Sequence, residues 1–188
     1  MGKASSMLKK QKRNFSESIK YLRRKEWERF RSSVDDYRDR LLVTILYWTG
    51  MRVGEFTKVK IEDIDFEERL ISVPAENTKT KSARTVWIPQ EVLSEIKAYL
   101  KLTKKKRGRL FDLTPRRVQQ ILAKYSKISG VRATPHTLRH THIVQALLRK
   151  VPIAAVQKQV GHRRLTTTQI YSNFAPEQVR EAYEQGRK

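Results

Sequence analysis

Two arginines and one tyrosine in this sequence have the chemical properties needed to break a phosphodiester bond. Arg52 and Arg139 carry planar, permanently charged guanidinium groups, and each can bind two phosphate oxygens at once. As a pair they can stabilise the extra charge of a pentacoordinate phosphorus without a metal ion. Tyr171 supplies a hydroxyl nucleophile if neighbouring cations stabilise its phenolate. These residue types indicate phosphoryl transfer.

Histidines lie close to this set in the sequence. His136 precedes Arg139 by three residues, so on a helix both side chains project from one face and can reach the same phosphate. His162 follows a glycine and precedes Tyr171 by nine residues. The C-terminal part of the chain therefore concentrates groups that bind phosphate.

A predicted hairpin carries two further candidates. Residues 70–73 and 84–88 are short runs rich in β-branched and aromatic residues, and they predict two antiparallel strands. The polar segment between them contains Lys79 and Lys81. The oxygen that leaves the phosphorus needs a proton, which a lysine at a hairpin tip can donate. Strand alternation alone does not choose between these two lysines.

Helices are predicted for most of the remaining sequence. As a helix, residues 36–49 would have apolar side chains on nearly every face, so we expect them to form a buried central helix. Gly50 interrupts this pattern, and a short helix over 52–58 places Arg52 and Glu55 on one face. Other helices are expected over residues 21–32, 91–100, 114–129 and 176–185, from Pro135, and from Pro152 to Gly161. The predicted fold is mainly α with a small antiparallel β-hairpin or sheet, an α+β class.

The charge balance predicts the partner. The chain of 188 residues is long enough for one domain with a proper core, and it has 41 Lys and Arg against 19 Asp and Glu, a formal charge of +22. Such an excess repels itself unless a polyanion neutralises it, so nucleic acid is the expected partner, and the alternative is a solvated surface or a ribosomal-type structural protein. Residues 1–19 are a basic arm or a truncation point.

Several classes of protein are disfavoured by what the sequence lacks. It has no cysteine, which excludes disulfides, thiolate catalysis and cysteine-bound zinc. The N-terminal segment has no apolar core of a signal peptide, and the longest mainly apolar run, residues 41–48, is too short to cross a bilayer. We therefore expect a cytoplasmic, nucleoid-associated protein that makes no membrane contact.

Two groups of residues raise the alternative of a metal-dependent nuclease. His136 and His140 have helical i, i+4 spacing, with His142 nearby, but no glutamate follows the first histidine and the neighbouring sequence is basic, which repels a cation. The acidic segment 62–68 is typical of a solvated turn. The sequence therefore predicts neither a metal site nor a cofactor.

Four motifs in order resemble the tyrosine recombinase family, the lambda-integrase-like and Xer-like site-specific recombinases. They are Thr-Gly-x-Arg-x-x-Glu at 49–55, Thr78-Lys79 in the hairpin with Arg84 on the return strand, Pro-His-x-Leu-Arg-His-Thr at 135–141, and Val-Gly-His at 160–162 with Tyr171 after it. The resemblance covers residues 20–185. It implies a recombinase that cleaves and rejoins DNA strands without a metal or ATP.

The resemblance also implies a role for each matching residue. Arg52 and Arg139 would hold the scissile phosphate, Tyr171 would form a 3′-phosphotyrosyl bond, and Lys79 would protonate the leaving 5′-oxygen. Three residues would complete the site: His136 as general base or phosphate ligand, His162 as a hydrogen-bonding phosphate ligand, and Glu55 as a support.

DNA contacts outside the catalytic set are expected on the hairpin and on one helix. Lys81 and Arg84 lie in or beside the hairpin tip. The helix over 114–129 is either a groove-contacting element or a solvated basic face. Its candidate residues are Arg116, Arg117, Gln120 and Lys124.

The family also implies a domain organisation and an assembly. Residues 20–188 correspond to the catalytic domain, and the N-terminal core-binding domain of such recombinases is absent from this sequence. Family members act as synaptic homotetramers on DNA, so residues 176–188 either dock on a neighbouring subunit or pack on their own subunit. The free protein is either oligomeric or a monomer. Two other functions stay open: a catalytically idle DNA-binding regulator of the same fold, and DNA relaxation like that of a type IB topoisomerase.

Overall fold

The computed structural model describes residues 20–78 and 81–162. Within these ranges the chain forms seven α-helices, two 3-10 helices and three strands. The helices are α1 (Arg24–Ser32), α2 (Tyr37–Thr49), α3 (Val53–Phe56), α4 (Gln90–Thr103), α5 (Pro115–Ser129), α6 (Pro135–Leu148) and α7 (Ile153–Val160), and the 3-10 helices are Ile61–Asp63 and Ala75–Asn77. The strands are β1 (Ile64–Asp65), β2 (Leu70–Val73) and β3 (Arg84–Trp87). This architecture confirms the predicted fold class.

Helix α2 is the buried centre of the fold, as its sequence predicts. Five of its apolar side chains are at most 1% exposed: Leu41, Leu42, Val43, Ile45 and Leu46. Asp36 caps its start by accepting a hydrogen bond from the backbone N–H of Asp39 at 2.8 Å. Gly50 ends it in the left-handed conformation, with φ of 61°. This turn places Arg52 at the beginning of α3.

The sheet is antiparallel, with strand order β1-β2-β3. Ile71 of β2 pairs with Ile64 on one side and with Val86 on the other, and all three side chains are buried. The hairpin of β2 and β3 is the predicted one. The sequence predicts only a charged turn over residues 62–68, whereas the structure also contains the strand β1 within this segment. A strand of two residues is too short to show an alternating pattern.

The free edge of β3 is covered by a side chain of α7. Gln159 accepts a hydrogen bond from the Trp87 backbone N–H through Oε1 and donates one to the Trp87 carbonyl through Nε2, both at 2.9 Å. The side-chain amide thus takes the place of the peptide group of a further strand. This contact fixes α7 against the sheet.

Helix α6 packs against both α2 and α7. It begins at Thr134, whose side chain accepts a hydrogen bond from the backbone N–H of Thr137 at 3.0 Å, with Pro135 as the first helical residue. It packs on α2, and a second apolar cluster joins it to α7: Ile143, Val144, Leu147, Val156 and Val160. The C-terminal ends of α2 and α7 therefore meet beside α6.

Two predicted segments, the arm over 1–19 and the helix over 176–185, lie outside the described residues. Among the helices that are described, none combines the length and the apolar character needed to cross a membrane.

Candidate active site

Arg52 is held at the start of α3, directly after the turn at Gly50. Its backbone N–H and its Nη1 both donate to Glu55, each at 3.1 Å, and its Nη2 donates to the Gly161 carbonyl at 3.2 Å. The side chain nevertheless keeps 30% of its surface exposed. The guanidinium is therefore oriented from two sides and still accessible to a ligand.

Glu55 is the buried acceptor that orients this arginine. Its side chain is 2% exposed, and it also binds Arg84 through two hydrogen bonds, of 3.2 and 2.7 Å. Burial by itself raises the pKa of the carboxyl, but the hydrogen bonds and charges of Arg84 and Arg52 outweigh it and hold the pKa below its usual range. Glu55 is therefore ionised and serves two arginines at once.

Arg139 connects two backbone turns. Only 6% of the residue is exposed. Its Nη1 donates to the Gly50 carbonyl and its Nη2 to the Val160 carbonyl, each at 2.7 Å. One guanidinium thus joins the end of α2, which leads to Arg52, to the end of α7. A buried charge is tolerated there because both carbonyls share in solvating it.

His162 follows the left-handed Gly161 that ends α7. Gln157 holds this turn: its carbonyl accepts from the His162 backbone N–H at 3.2 Å, and its Nε2 donates to the His162 carbonyl at 3.0 Å. Burial, followed by the positive charges of Arg139 and Arg52, lowers the pKa of His162 to about 4. The imidazole is therefore neutral near pH 7 and lies within the field of both arginines.

The structure thus brings Arg52, Arg139 and His162 together from three separate elements. Two fixed guanidinium groups and a neutral imidazole suit a tetrahedral oxyanion, because their donors are in place before the ligand arrives. Among the described residues no cluster of three metal-ligating groups is present. Chemically, the arrangement can bind a phosphate through cationic and hydrogen-bonding side chains.

His136 lies on the same helix as Arg139 and has a histidine neighbour. It is exposed on α6, one turn before His140, and the two rings meet edge to face with centroids 4.0 Å apart. His140 is half-buried, and burial, followed by the charges of His136 and Arg139, lowers its pKa to about 4. The sequence suggests His140 only as a metal ligand, whereas the structure places it as a neutral ring against His136.

His142 lies on the other side of α6. Its Nδ1 is 3.2 Å from the Tyr47 carbonyl, and its ring packs against Gly50. Burial lowers its pKa to about 4. His142 therefore supports the turn that carries Gly50 and does not share a ligand site with His136.

The pKa of His142 predicts a pH dependence of stability. Between pH 6.5 and 4 the unfolded chain binds a proton at this histidine that the folded chain does not, so the free energy of unfolding falls as the pH falls. We expect His142→Asn to make this loss shallower by up to about 1.4 kcal/mol per pH unit. Urea unfolding at pH 7.5, 6 and 5 measures it. An identical pH dependence in the variant and the parent would contradict the prediction.

The residues predicted to contact DNA from the helix over 114–129 share one property. All of them are exposed on α5: Arg116, Arg117, Gln120 and Lys124. Thr114 caps the helix by accepting from the Arg117 backbone N–H at 3.2 Å. This is the exposure that a groove contact requires, and the contact itself stays a prediction.

A cleft of about 400 Å³ connects the start of α5 to the arginine site. Its lining includes Arg52, Lys58, Asn77, Arg109 and Thr114. The ten lining residues include three cations, Arg52, Lys58 and Arg109, against the one carboxylate of Glu55, and Asn77 lies at the base of the hairpin tip. The first arginine, the hairpin and α5 therefore border one basic depression.

Two central candidates lie outside the described residues, namely Lys79 and Tyr171. Lys81 is described and exposed, and its backbone N–H donates to the Thr78 carbonyl at 3.3 Å. The choice between Lys79 and Lys81 as general acid therefore stays open.

Arg84 has a structural partner that the sequence does not indicate. Only 11% of its side chain is exposed; besides the pair with Glu55, its Nε donates to the Gln159 carbonyl at 3.2 Å. Its contact with DNA stays a prediction. The only signal for the ion pair in the sequence is the position of Arg84 on β3, two residues before the buried Val86. In a chain with so many arginines, this position does not distinguish an ion-paired arginine from a surface arginine.

Known proteins share this fold and part of this sequence. The model of the phage integrase family matches residues 20–178. Tyrosine recombinase XerA of Pyrococcus furiosus is 39% identical over 159 residues, which are 80% of this chain and 55% of that protein. The chain spans between about half and two thirds of the length of the curated relatives it matches most strongly.

Solved structures agree with this match. A crystal structure of XerA recombinase superposes with a TM-score of 0.74 at 29% identity, covering 89% of this chain and 63% of that one. XerH site-specific recombinase bound to its difH substrate before cleavage gives 0.70 at 26% identity, covering 87% and 53%. The resemblance predicted from the four motifs is confirmed, and the chain belongs to the phage integrase family.

Proposed function

We propose that this chain is the catalytic domain of a tyrosine recombinase, which cleaves and rejoins double-stranded DNA through a 3′-phosphotyrosyl intermediate. The observation that carries the proposal is the convergence of Arg52, Arg139 and His162, joined through the carbonyls of Gly50, Val160 and Gly161. Membership of the phage integrase family supports it.

The reaction divides among the residues as follows. Arg52 and Arg139 bind the non-bridging oxygens of the scissile phosphate, and His162 hydrogen-bonds one of them. The Tyr171 oxygen attacks phosphorus, and the bond to the 5′-oxygen breaks while Lys79 donates the proton that this oxygen needs. His136 accepts the phenolic proton or binds the phosphate. The phosphotyrosyl bond retains the phosphodiester energy, so the reverse attack by a 5′-hydroxyl reseals DNA without ATP.

The proposed assembly is a synaptic homotetramer on two DNA duplexes, with residues 176–188 docking on a neighbouring subunit. The XerH complex with difH supports DNA as the partner, and the charge of +22 supports it independently. The proposed location is the nucleoid, where such a substrate lies.

Covalent trapping tests this function. In a suicide substrate a nick near the cleavage site lets the short fragment diffuse away, so the protein–DNA intermediate accumulates. We expect a denaturant-resistant adduct with the parent chain and with Tyr99→Phe, a matched control, and none with Tyr171→Phe. Because no metal takes part in the proposed reaction, excess chelator leaves the yield unchanged.

The other functions give different results in the same experiment. Repeated absence of adduct in the parent, with DNA binding intact, would favour an idle DNA-binding regulator. Adduct formation with relaxation of supercoils, without site preference or strand exchange, would favour a type IB topoisomerase. Cleavage that chelator abolishes would indicate a metal-dependent nuclease.

The charge also predicts a steep salt dependence of DNA binding. If about six phosphates are contacted, the affinity should fall by about 10³-fold between about 50 and 200 mM salt, because each contact releases condensed counterions. Equilibrium binding to a duplex across this range measures the slope. A flat response would contradict the proposed basic DNA-binding surface.

A further inference from the structure

Arg84 occupies the last paired position of the hairpin before its tip. In the ladder it lies opposite Val73, and the segment between these two residues contains both candidate lysines. Its side chain leaves the sheet and contacts α3 through Glu55 and the end of α7 through the Gln159 carbonyl. The base of the tip is thereby attached to the two elements that carry Arg52 and His162.

The guanidinium of Arg84 also lies against Gly161, whose carbonyl accepts from Arg52. A Cβ added at Gly161 would be 2.9 Å from Cζ of Arg84, so the guanidinium packs closely against the backbone of this glycine. The carbonyl of the same Gly161 accepts a hydrogen bond from Arg52. Arg84 therefore binds the Glu55 carboxylate that orients Arg52, and it also packs against the glycine whose carbonyl orients Arg52.

The charges of this group decide what Arg84 does for Arg52. Glu55 contributes one negative charge, and Arg52 and Arg84 contribute one positive charge each, so the three side chains together are net positive. Without Arg84 the carboxylate would neutralise Arg52, and the attraction of Arg52 for a phosphate would weaken. With Arg84 present, the carboxylate can orient Arg52 without cancelling its charge.

We propose that Arg84 is a positioning residue of the active site, which acts through Glu55 and Gly161 to orient Arg52 and keep its charge effective, and that it is not a DNA-phosphate contact. This inference rests on the proposed recombinase function and revises the DNA-binding role that the sequence suggests for Arg84. It also attaches the general-acid hairpin to the phosphate site.

The test separates positioning from DNA contact. In single-turnover cleavage at saturating DNA, Arg84→Met should lower the rate by about 10- to 100-fold, the size typical of groups that orient a ligand-binding side chain. DNA affinity should stay within about 3-fold, because only the contact at the scissile phosphate weakens, and the salt slope should fall by clearly less than the value of about 0.9 that loss of a whole phosphate contact removes. Arg84→Lys keeps the charge without the forked geometry and should lose less. Arg31→Lys, which alters an arginine–glutamate pair elsewhere, is the matched control and should cleave like the parent.

A second substitution distinguishes a positioning role from a loss of stability, because a merely destabilised protein would not recover activity when Glu55 is also changed. Because Glu55→Gln removes the uncompensated negative charge, the double variant Arg84→Met with Glu55→Gln should cleave at least as fast as Arg84→Met alone. The inference would be overturned if the losses in rate caused by the two substitutions multiply in the double variant. It would also be overturned if Arg84→Met reduces the salt slope but cleaves at a normal rate at saturating DNA. If Arg84→Met fails to fold, Arg84→Lys decides by the same rate and slope. A parent chain that forms no adduct would instead overturn the proposed function, and this inference with it.

Discussion

Arg139→Ala is expected to reduce DNA cleavage by about 10³-fold or more, the largest effect of any substitution in the described part of the site. One donor to a developing oxyanion is worth about 10²- to 10³-fold in rate, and this residue supplies a charge as well. The same change removes the donor from the buried carbonyls of Gly50 and Val160, which costs about 1–3 kcal/mol for each. Single-turnover cleavage and urea unfolding, measured in parallel, separate the two losses.

Two variants make this result interpretable. Arg139→Lys keeps a positive charge but cannot join both carbonyls and a phosphate, so it should recover part of the stability and little of the rate. Arg132→Ala, an exposed arginine just before α6, should leave both unchanged. An Arg139→Ala protein that cleaves within about 10-fold of the parent would refute the phosphate-binding role.

Gly50→Ala is expected to destabilise the chain by about 2–5 kcal/mol and to impair cleavage at the same time. The left-handed φ of 61° costs a residue with a Cβ about 1–2 kcal/mol. The new Cβ would also be 2.7 Å from Cδ2 of His142 and 3.0 Å from Cγ1 of Val160, and relief of such crowding costs about 1–3 kcal/mol more. Because the Gly50 carbonyl accepts a hydrogen bond from Arg139, the shift also moves the guanidinium that is proposed to bind the phosphate.

Gly130→Ala is the matched control, since Gly130 ends α5 with φ of 69° and therefore carries the same backbone strain. The nearest atom to its added Cβ is Nη2 of Arg29, at 3.4 Å, the end of a flexible side chain. We expect it to lose only about 1–2 kcal/mol and no cleavage activity. Equal losses in the two variants, by urea unfolding and suicide-substrate cleavage, would show that crowding at Gly50 is unimportant.

The sequence predicted those features whose cause is local. The apolar helix α2, its glycine end, the capped start of α5 and the start of α6 at Pro135 follow from periodicity and from individual residues at helix ends. The short motifs also placed Arg52, Arg139 and His162 in one site, because a family resemblance carries long-range information that a single helical pattern does not.

The features that the sequence did not predict depend on contacts between distant segments. Arg139 binds two backbone carbonyls, and nothing in the identity of Gly50 or Val160 marks them as its acceptors. The pairing of Arg84 with Glu55 is hidden because the chain contains many arginines and the sequence does not say which of them fold inward. Strand β1 was not predicted because a strand of two residues is too short to show an alternating pattern of apolar and polar residues.

The amide of Gln159 on the edge of β3 has a consequence beyond the geometry of one helix. An uncovered strand edge is a template on which another copy of the protein can add its own strand and begin to aggregate. Here the peptide group of Trp87 is already occupied by a side chain, and the opposite edge is formed by β1, which is only two residues long. Neighbouring molecules are thereby discouraged from joining through their sheets.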